Sequence, residues 1–555
     1  MELDLSHDGS LPIEYCKYIS KIEKKTIIEY NNYISKIIEL NSIQGMGWFN
    51  RVISRNTHLS SLLDNICKIK LLQYALSSNT KIKTIRVDSL GMYRVSQKIV
   101  YSMGYKASVE FRSDKWVNFL PVINLTKSCF KLFNLFIWPK LLRGKKKPVG
   151  KIIFLDTFLF IDSFDLNNEY SDRYYPGIED SIRDTKLLWY SPTLIGINSI
   201  RSFRHIFKAI RSSSKQFLMK EDWLKISDYF SALYLSYSLT RKVKLIPLWE
   251  GINIEELVNE EINKDKFSMD IINPILIYFF IKRLKTLNIN IDLVIDWHEN
   301  QVIDRALILG IRNFYSGTKI HGYQGYVVPD YYACKDPIII EYDSGTLPDE
   351  LFVIGQKFIE DKKKYCPNLP VSVAQAYRFS GIHKLNLSSK KPLKKILLSL
   401  PISLKESKEI INIGLSLIAL IGSEYEFYLK QHPSYTMDKL FKTFPEIENS
   451  SLNIVQKDLY QQLLESTLLI SSSSSVCLEA SLIGIKVAIV GSRTGPAMNP
   501  LANLVDLKNW QVCYSEYEVI DLISKPSIKV DFVIEDYLSS VKCERFLNYS
   551  NYKKS

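Results

Sequence analysis

The sequence predicts an α/β protein made of two Rossmann-like, doubly wound domains that face a cleft, preceded by a helical extension. Three observations lead to this fold class. The chain has 555 residues, more than one ordinary core accommodates. In both halves, short β-branched runs alternate with segments of helical length. Between the halves, from about 361 to 392, the pattern weakens into a polar stretch of the kind that links domains.

The first segment, 1–80, predicts a helical extension, because two long runs in it carry apolar residues at helical spacing. From residue 81 the period changes. A strand, a helix and a second strand are predicted at 83–87, 92–103 and 106–111. We interpret this unit as the start of an N-terminal Rossmann-like domain, 81–385.

Four apolar strands of this first domain end in polar residues. Ligands of doubly wound sheets bind beyond the carboxyl ends of the strands, so the residues at these ends are candidates to line a crevice. They are Asp156 and Glu250, as substrate contacts, and the pair His298 and Glu299. The strands themselves are predicted at 151–155, 186–190, 243–248 and 292–295.

A Gly- and Tyr-rich segment, 319–326, predicts a strand that runs into a loop. His321 and Gln324 in this segment are candidate polar contacts for a substrate pocket. The alternative is a turn whose histidine is satisfied by the protein itself.

Positive charge is concentrated in one window of the chain. The formal net charge is +13, and no acidic residue occurs between Asp114 and Asp156. An aromatic run, 130–139, lies in this basic insertion (near 115–151), and 200–211 places apolar residues beside arginines. Both stretches fit a face on an anionic membrane, and both also fit core-facing helices with a solvated basic edge. The basic residues of the window are Lys115, Lys127, Lys131, Lys140, Arg143, Lys145, Lys146, Lys147 and Lys151.

The second domain, 386–525, carries a histidine at a strand end. The predicted strand Glu426–Lys430 leads directly into Gln431, His432 and Pro433. The proline stops the strand and fixes the turn, and a histidine at this edge can donate a hydrogen bond to a phosphate. The alternative is an ordinary turn residue.

Five serines follow the next apolar strand, 467–470, and precede a helix that contains Glu479. Hydroxyls, backbone N–H groups and a helix start together can bind an anion without a metal, and Glu479 could accept hydrogen bonds from ribose. The alternatives are an N-cap with serine neighbours and a first-turn carboxylate that complements the helix dipole. The serines are Ser471, Ser472, Ser473, Ser474 and Ser475.

The stretch 428–491 resembles the C-terminal domain of bacterial GT-B glycosyltransferases that build capsules, O-antigens and other surface polysaccharides. In the sialyl-, polysialyl- and Kdo-transferase group, an HP motif and a downstream Ser/Thr motif bind the nucleotide of a CMP-sugar. The resemblance implies that Lys430, His432 and Pro433 bind the nucleotide together with the five serines and Glu479. The acidic motif of several sialyltransferases has no recognisable counterpart here.

The resemblance also implies that the N-terminal domain, 81–385, binds the acceptor, and it implies a reaction. Inverting GT-B enzymes take a carboxylate or histidine base from the N-terminal domain, and Glu299, with His298 beside it, is the candidate here. A sugar would move from a nucleotide donor, with a CMP-sugar favoured, to a surface polysaccharide or lipid-linked glycan. No metal and no cofactor are expected.

The sequence also fits functions other than sugar transfer. A CDP-polyol phosphotransferase of the teichoic-acid type would use a similar fold, and a non-catalytic anionic-ligand or nucleic-acid-binding protein would explain the charge. Nucleic acid is not expected as a partner, because the basic residues cluster with aliphatic ones. Eight scattered cysteines, no signal peptide and no long apolar run predict a cytoplasmic protein, with a peripheral place on the inner face of the membrane as an option. The last segment, 526–555, is predicted to be a tail with room for a helix.

Overall fold

The computed structural model describes residues 2–78, 81–112, 119–142, 144, 146–165, 168–182, 184–385, 393–455, 458–504, 506–528 and 533–547. Within these ranges the strands form one three-stranded and two six-stranded sheets, and all strand pairs in them are parallel. The predicted class, two parallel-sheet α/β domains, is confirmed. Lys115, Arg143, Lys145 and 386–392 of the predicted linker lie outside the described residues.

The N-terminal region is mainly helical but also holds a small sheet. Strand β1 pairs with β2, and β2 pairs with β3. The predicted strand-helix-strand unit therefore forms, but its strands pair with the chain's own N-terminus and not with the first six-stranded sheet. The elements are β1 (Glu2–Asp4), α1 (Ile13–Leu40), α2 (Leu62–Ser78), β2 (Thr84–Val87), α3 (Leu90–Ser102), β3 (Ser108–Phe111) and α4 (Leu120–Leu141).

The first six-stranded sheet has the order β5-β4-β6-β7-β8-β9. Numbered within the sheet this is 2-1-3-4-5-6, so the strand order reverses between β4 and β6. Its elements are β4 (Lys151–Leu159), β5 (Leu188–Leu194), α5 (Ile200–Ser212), α6 (Ile226–Ser238), α7 (Glu255–Asn263), α8 (Met269–Thr286), β6 (Asn290–Trp297), α9 (Val302–Phe314), β7 (Lys319–Gln324), α10 (Ile339–Asp343), β8 (Glu350–Val353), α11 (Ile359–Lys363) and β9 (Val371–Val373).

The strand predicted at 243–248 was wrong. Asn41, the residue after α1, takes hydrogen bonds that a sheet would need: its Oδ1 accepts from the N–H groups of Lys244 (2.7 Å) and Leu245 (2.9 Å). The Tyr33 hydroxyl also donates to the carbonyl oxygen of Pro247 at 3.0 Å. This segment therefore runs along α1 as irregular chain.

The helix at 200–211, for which a membrane face and a core-facing position were both considered, forms as α5 with its apolar side in the core. Phe203 and Phe207 are fully buried, and Ile210 is nearly so. The core-facing alternative holds for this helix.

The second six-stranded sheet has the order β12-β11-β10-β13-β14-β15. Within the sheet this is 3-2-1-4-5-6, the dinucleotide-fold order, and it reverses between β10 and β13. Its elements and those of the tail are β10 (Lys395–Ser399), α12 (Leu404–Ile421), β11 (Glu426–Lys430), α13 (Met437–Thr443), β12 (Leu452–Ile454), α14 (Leu459–Glu465), β13 (Leu468–Ser471), α15 (Val476–Leu482), β14 (Lys486–Val490), β15 (Trp510–Cys513), α16 (Glu516–Ser524), α17 (Ile534–Tyr537) and α18 (Glu544–Leu547).

The tail returns to the first domain. The Ser539 N–H donates to the carbonyl oxygen of Ile354, and the Ala376 N–H donates to the carbonyl oxygen of Ser539, both at 2.7 Å. Phe546 is buried against the rings of Tyr323 and Phe352. The last described helices therefore pack against β7 and β8 of the first sheet.

Each large sheet has one point where its strand order reverses, and ligands of such sheets bind in the crevice beyond that point. The first lies between the ends of β4 and β6, and the second lies between the ends of β10 and β13. Among the described helices, none combines the length and apolar character needed to cross a membrane.

Candidate functional site

The loop after β6 begins from a buried acid–histidine pair. Asp296, predicted to follow the strand, lies inside it and is fully buried, and its Oδ2 is 2.8 Å from Nδ1 of the buried His298. Burial lowers the pKa of His298 to about 4. Burial, and then the charge of Glu299, raise the pKa of Asp296. This pair therefore favours neutral forms of both groups.

Glu299 is held from several sides. Its Oε1 accepts a hydrogen bond from the Trp297 indole N–H at 2.8 Å, and its Oε2 accepts from the Gln301 side-chain amide. Its own N–H donates to Asp304 Oδ2 at 2.9 Å. Burial raises the pKa of Glu299, and the Trp297 and Gln301 hydrogen bonds oppose that rise. The carboxylate is thus fixed in place with an elevated proton affinity.

Asn300, the next residue, anchors the loop to the protein interior. Asn300 has a left-handed backbone (φ 56°), which costs energy in a residue other than glycine. Its side-chain amide donates to Glu341 Oε2 at 2.9 Å and to the carbonyl oxygen of Cys334 at 3.0 Å. Glu341 is fully buried between Arg55 (2.8 Å) and Arg305. These arginines overcome the effect of burial and lower its pKa, so the N-terminal extension supports the loop through Arg55.

Asp156, predicted to follow a strand, lies near this acidic group. It lies within β4, which extends to Leu159, and not at the end of the strand. Burial, and then the charges of Asp296 and Asp304, raise the pKa of Asp156 well above its ordinary value.

Three residues here have donor atoms that could hold a metal ion. Ligand atoms of Asp296, His298 and Asp304 lie within 4.8 Å of one another. Asp304 Oδ2 already accepts the N–H groups of Glu299 and Gln301, at 2.9 and 2.8 Å, which is the capping arrangement at the start of α9. The geometry therefore gives Asp304 a structural role.

In the second domain, His432 follows β11 as predicted. The Ser434 N–H donates to its Nδ1 at 3.1 Å, so in the neutral ring the proton is on Nε2. Burial, and then the charges of Arg378 and Arg173, lower the pKa of His432 to about 4. The ring is thus a neutral hydrogen-bond donor in a cationic environment. Lys430 is half-buried, with its pKa lowered by burial, and Pro433 is exposed.

The five serines divide into two groups. The buried Ser471 donates from Oγ to the carbonyl oxygen of Ser399 at 2.8 Å, and the buried Ser472 donates to Glu406 in α12. The Ser473 N–H also donates to Glu406 Oε2, at 3.2 Å. The first two hydroxyls therefore tie β13 to β10 and α12. The remaining three, Ser473, Ser474 and Ser475, are half-buried.

Glu479 is buried one turn into α15. The Tyr460 hydroxyl donates to its Oε1 at 2.6 Å. Burial raises its pKa to about 7, and the Tyr460 hydrogen bond and the charge of Arg378 oppose the rise.

Arg378 was not predicted from the sequence. Its charge acts on the Glu299 group of the first domain and on the His432 group of the second. It follows β9 and is exposed, and its guanidinium carbon is 5.6 Å from the ring centroid of Tyr174 and 5.8 Å from that of Trp297. Its charge acts on the pKa of Glu299 in the first domain and of His432 and Glu479 in the second. No local motif marks it, because its neighbours in the sequence, Tyr377 and Phe379, are core residues.

Three other predicted contacts make polar interactions within the protein. Glu250 is in a turn with left-handed backbone (φ 45°) and pairs with Lys70 at 3.2 Å. His321 is buried in β7, with Nδ1 2.9 Å from the carbonyl oxygen of Phe546 in the tail. Gln324 is buried and donates to the carbonyl oxygen of Lys335 at 2.8 Å. His321 and Gln324 thus use polar groups in hydrogen bonds within the protein.

No family model and no curated protein matches the chain. Among solved structures it is similar to a putative UDP-N-acetylglucosamine 2-epimerase from Listeria monocytogenes, with 11% identity and TM-score 0.41 over 73% of this chain and 97% of that one. It is also similar to the lipopolysaccharide outer core galactosyltransferase WaaB (12% identity, TM-score 0.36, 73% and 100% covered). A third is the wall teichoic acid polymerase TagF (11% identity, TM-score 0.32, 73% and 88% covered). The strand orders of the two large sheets define the fold.

Proposed function

We propose that the chain is a glycosyltransferase that moves a sugar from a nucleotide donor to an acceptor hydroxyl in the cleft between the two large sheets. The observation that carries this proposal is the position of Arg378. One exposed cation acts on a fixed carboxylate of the first domain, Glu299, and on His432 and Glu479 of the second.

In this proposal Glu299 is the base. It takes the proton of the acceptor hydroxyl as that oxygen attacks the anomeric carbon, and the bond from this carbon to the phosphate oxygen breaks. A raised pKa suits a base that must hold a proton near neutral pH. A single displacement of this kind inverts the anomeric configuration.

The leaving nucleotide carries negative charge away from the sugar. Arg378 and the Nε2–H of His432 supply a cation and a donor for the phosphate, and Ser473, Ser474 and Ser475 supply half-buried hydroxyls. Glu479 would accept a ribose hydroxyl. This arrangement stabilises the leaving group with side chains of the protein.

The donor and acceptor follow from the motifs. The HP turn and the serine run favour a CMP-sugar, and surface polysaccharides or lipid-linked glycans are the proposed acceptors. A place on the inner face of the cell membrane would bring the enzyme to such acceptors. Asp156, at the β4–β6 crevice, is proposed to contact the acceptor.

Thermal shift with CMP-, UDP-, GDP- and CDP-linked compounds tests the donor site. We expect one nucleotide class to raise the Tm, and His432→Ala to remove that rise, while His205→Ala, an exposed histidine on α5, keeps it. Stabilisation by CDP-polyols alone would favour phosphopolyol transfer, and no rise with any nucleotide would overturn the donor site.

Turnover of the stabilising donor then tests the reaction. Free nucleotide should accumulate with a glycan acceptor, in a one-to-one ratio with sugar added to the acceptor. Conversion of the donor to a sugar isomer without acceptor would contradict transfer.

A further inference from the structure

The described surface has an apolar region that the reaction does not use. Helix α4 is apolar around most of its circumference, with Leu132 and Leu135 buried on one side. On the opposite side Phe133 is 62% exposed, and Val122, Phe130 and Leu141 are also exposed. A core-facing helix would place polar residues there.

A second exposed apolar row lies on α6. Ile226, Phe230 and Tyr234 are spaced four residues apart and so form one ridge of the helix. Phe230 is 67% exposed, and both of its neighbours in the ridge are exposed as well.

The two helices are neighbours that run in opposite directions. Phe136 of α4 meets Tyr229 of α6 edge to face, with ring centroids 5.7 Å apart. Towards the other end, Ser128 of α4 donates to the carbonyl oxygen of Phe267 at 2.7 Å, and the Phe267 ring stacks on Tyr237 of α6 at 5.5 Å. The exposed rows of α4 and α6 therefore belong to one region, here called the α4–α6 surface.

On the two helices themselves the exposed charge has one sign, and the exposed Asp270 of α8, near α4, is paired with Arg51 at 3.4 Å. The two helices contain a single acidic residue, Asp228, which is buried and paired with Arg283 at 2.7 Å. Exposed basic side chains lie on or next to the helices: Lys127, Lys140, Lys225, Arg241 and Lys242.

We propose that the α4–α6 surface binds the surface of a bilayer that contains anionic phospholipids. Aromatic and aliphatic side chains enter the interface between headgroups and acyl chains, and the flanking lysines and arginines attract the headgroup phosphates. The charge complementarity selects this occupant, since a second copy would bring the same positive charge against it. Lipid binding by this surface does not rest on the proposed transfer reaction.

Vesicle co-sedimentation without nucleotide tests the surface. We expect the full chain to sediment with vesicles of equal parts phosphatidylglycerol and phosphatidylcholine, and much less with phosphatidylcholine alone. High salt should weaken the binding, because screening reduces the attraction of the lysines. Equal binding to both vesicle types, or none to either, would overturn the proposal.

Two sets of variants locate the binding. Phe133→Ser with Phe230→Ser should weaken binding roughly tenfold for each ring removed, since each loses the burial of a large apolar side chain. Tyr517→Ser on α16, where the ring is 68% exposed, is the matched control and should bind as the unaltered chain does. Equal losses in the control would overturn the assignment.

Charge reversal tests the basic rim. Lys127→Glu and Lys140→Glu should each lower binding to the anionic vesicles by about fivefold or more, whereas Lys408→Glu, exposed on α12, should not. The Tm and the sedimentation velocity of every variant are measured in parallel. If the ring variants instead convert a dimer to a monomer, the surface binds a second copy and the lipid proposal fails.

Discussion

The two sides of the proposed cleft are built differently. On the first-domain side, Glu299 receives hydrogen bonds from Trp297 and Gln301, and its loop is anchored through Asn300 to buried Glu341. On the second-domain side, the His432 ring accepts one hydrogen bond, from its neighbour Ser434, and Pro433 is exposed. A base must meet one proton at hydrogen-bond distance, whereas a phosphate can be held by charge from several directions. The difference fits a base on the first side and a nucleotide on the second.

Replacing the base should have the largest effect. Glu299→Gln keeps the size of the side chain and one of its two acceptor oxygens but removes the basic carboxylate. We expect kcat to fall roughly 100- to 10,000-fold, with nucleotide stabilisation in the thermal-shift assay retained. Asp292→Asn, at the other end of the same strand, is the matched control. If Glu299→Gln abolished nucleotide binding as well, the assignment of base and nucleotide to opposite sides would be wrong.

The sequence predicted the second side better than the first because the second is local. His432 and the serine run follow strands whose limits were predicted closely, and the strand order of the sheet places them at its carboxyl edge. Arg378 depends on rings and carboxylates far away in sequence, so no short pattern reveals it. The same holds for Arg55 and Glu341, which are 286 residues apart.

His321 is the opposite case: the sequence suggests it as a substrate contact, and the fold gives it a partner within the protein. Like the predicted site residue Asp156, it is a polar side chain of a parallel strand in a large sheet. The tail, 225 residues later, supplies the carbonyl oxygen of Phe546 that its Nδ1 meets. A pattern within β7 cannot reveal such a partner. The five serines are a second example, because Ser471 and Ser472 bond to Ser399 and Glu406, which are distant in the sequence.

The buried acid of the second side should give stability a distinct pH dependence. Burial raises the pKa of Glu479 from 4.5 to about 7, so between these values the folded chain binds more protons than the unfolded chain. This contribution to stability is fully present below pH 4.5, falls as the pH rises, and is lost above about 7. Glu479→Gln should remove the fall, which is at most about 3 kcal/mol.

Chemical denaturation of both proteins across this range measures the difference. The free energy of unfolding of the variant minus that of the unaltered chain should increase with pH. Glu446→Gln, exposed in the same domain, controls for the change of charge. A difference that stays constant from acid to neutral pH would show that Glu479 does not titrate in the folded chain as described.

Arg378→Ala should weaken the binding of the nucleotide. The loss of a charge-assisted contact to phosphate is expected to raise the Kd of the nucleotide about 10- to 100-fold. Arg378→Lys should not restore it fully, because the flat guanidinium lies over the rings of Tyr174 and Trp297. The pKa of His432, followed by NMR, should rise in Arg378→Ala, since this arginine lowers it. Arg94→Ala on α3 is the control, and an unchanged Kd in Arg378→Ala would remove this residue from the donor site.

Gly325→Ala should have the smallest effect, and it tests how tightly the rings next to Glu299 are packed. A Cβ at Gly325 would lie 2.4 Å from Tyr323 Cε1 and 2.5 Å from Trp297 Cζ3, and both rings are fully buried. Gly325→Ala must therefore displace a ring that cannot move into solvent, and we expect a loss of about 1–3 kcal/mol of stability. Because Trp297 donates to Glu299, kcat should fall while the nucleotide-induced rise in Tm is kept. Gly47→Ala, whose Cβ would meet Ile43 Cγ2 at 3.1 Å, should cost less and leave kcat unchanged. Equal effects of the two substitutions would mean that Glu299 does not depend on the packing beneath it.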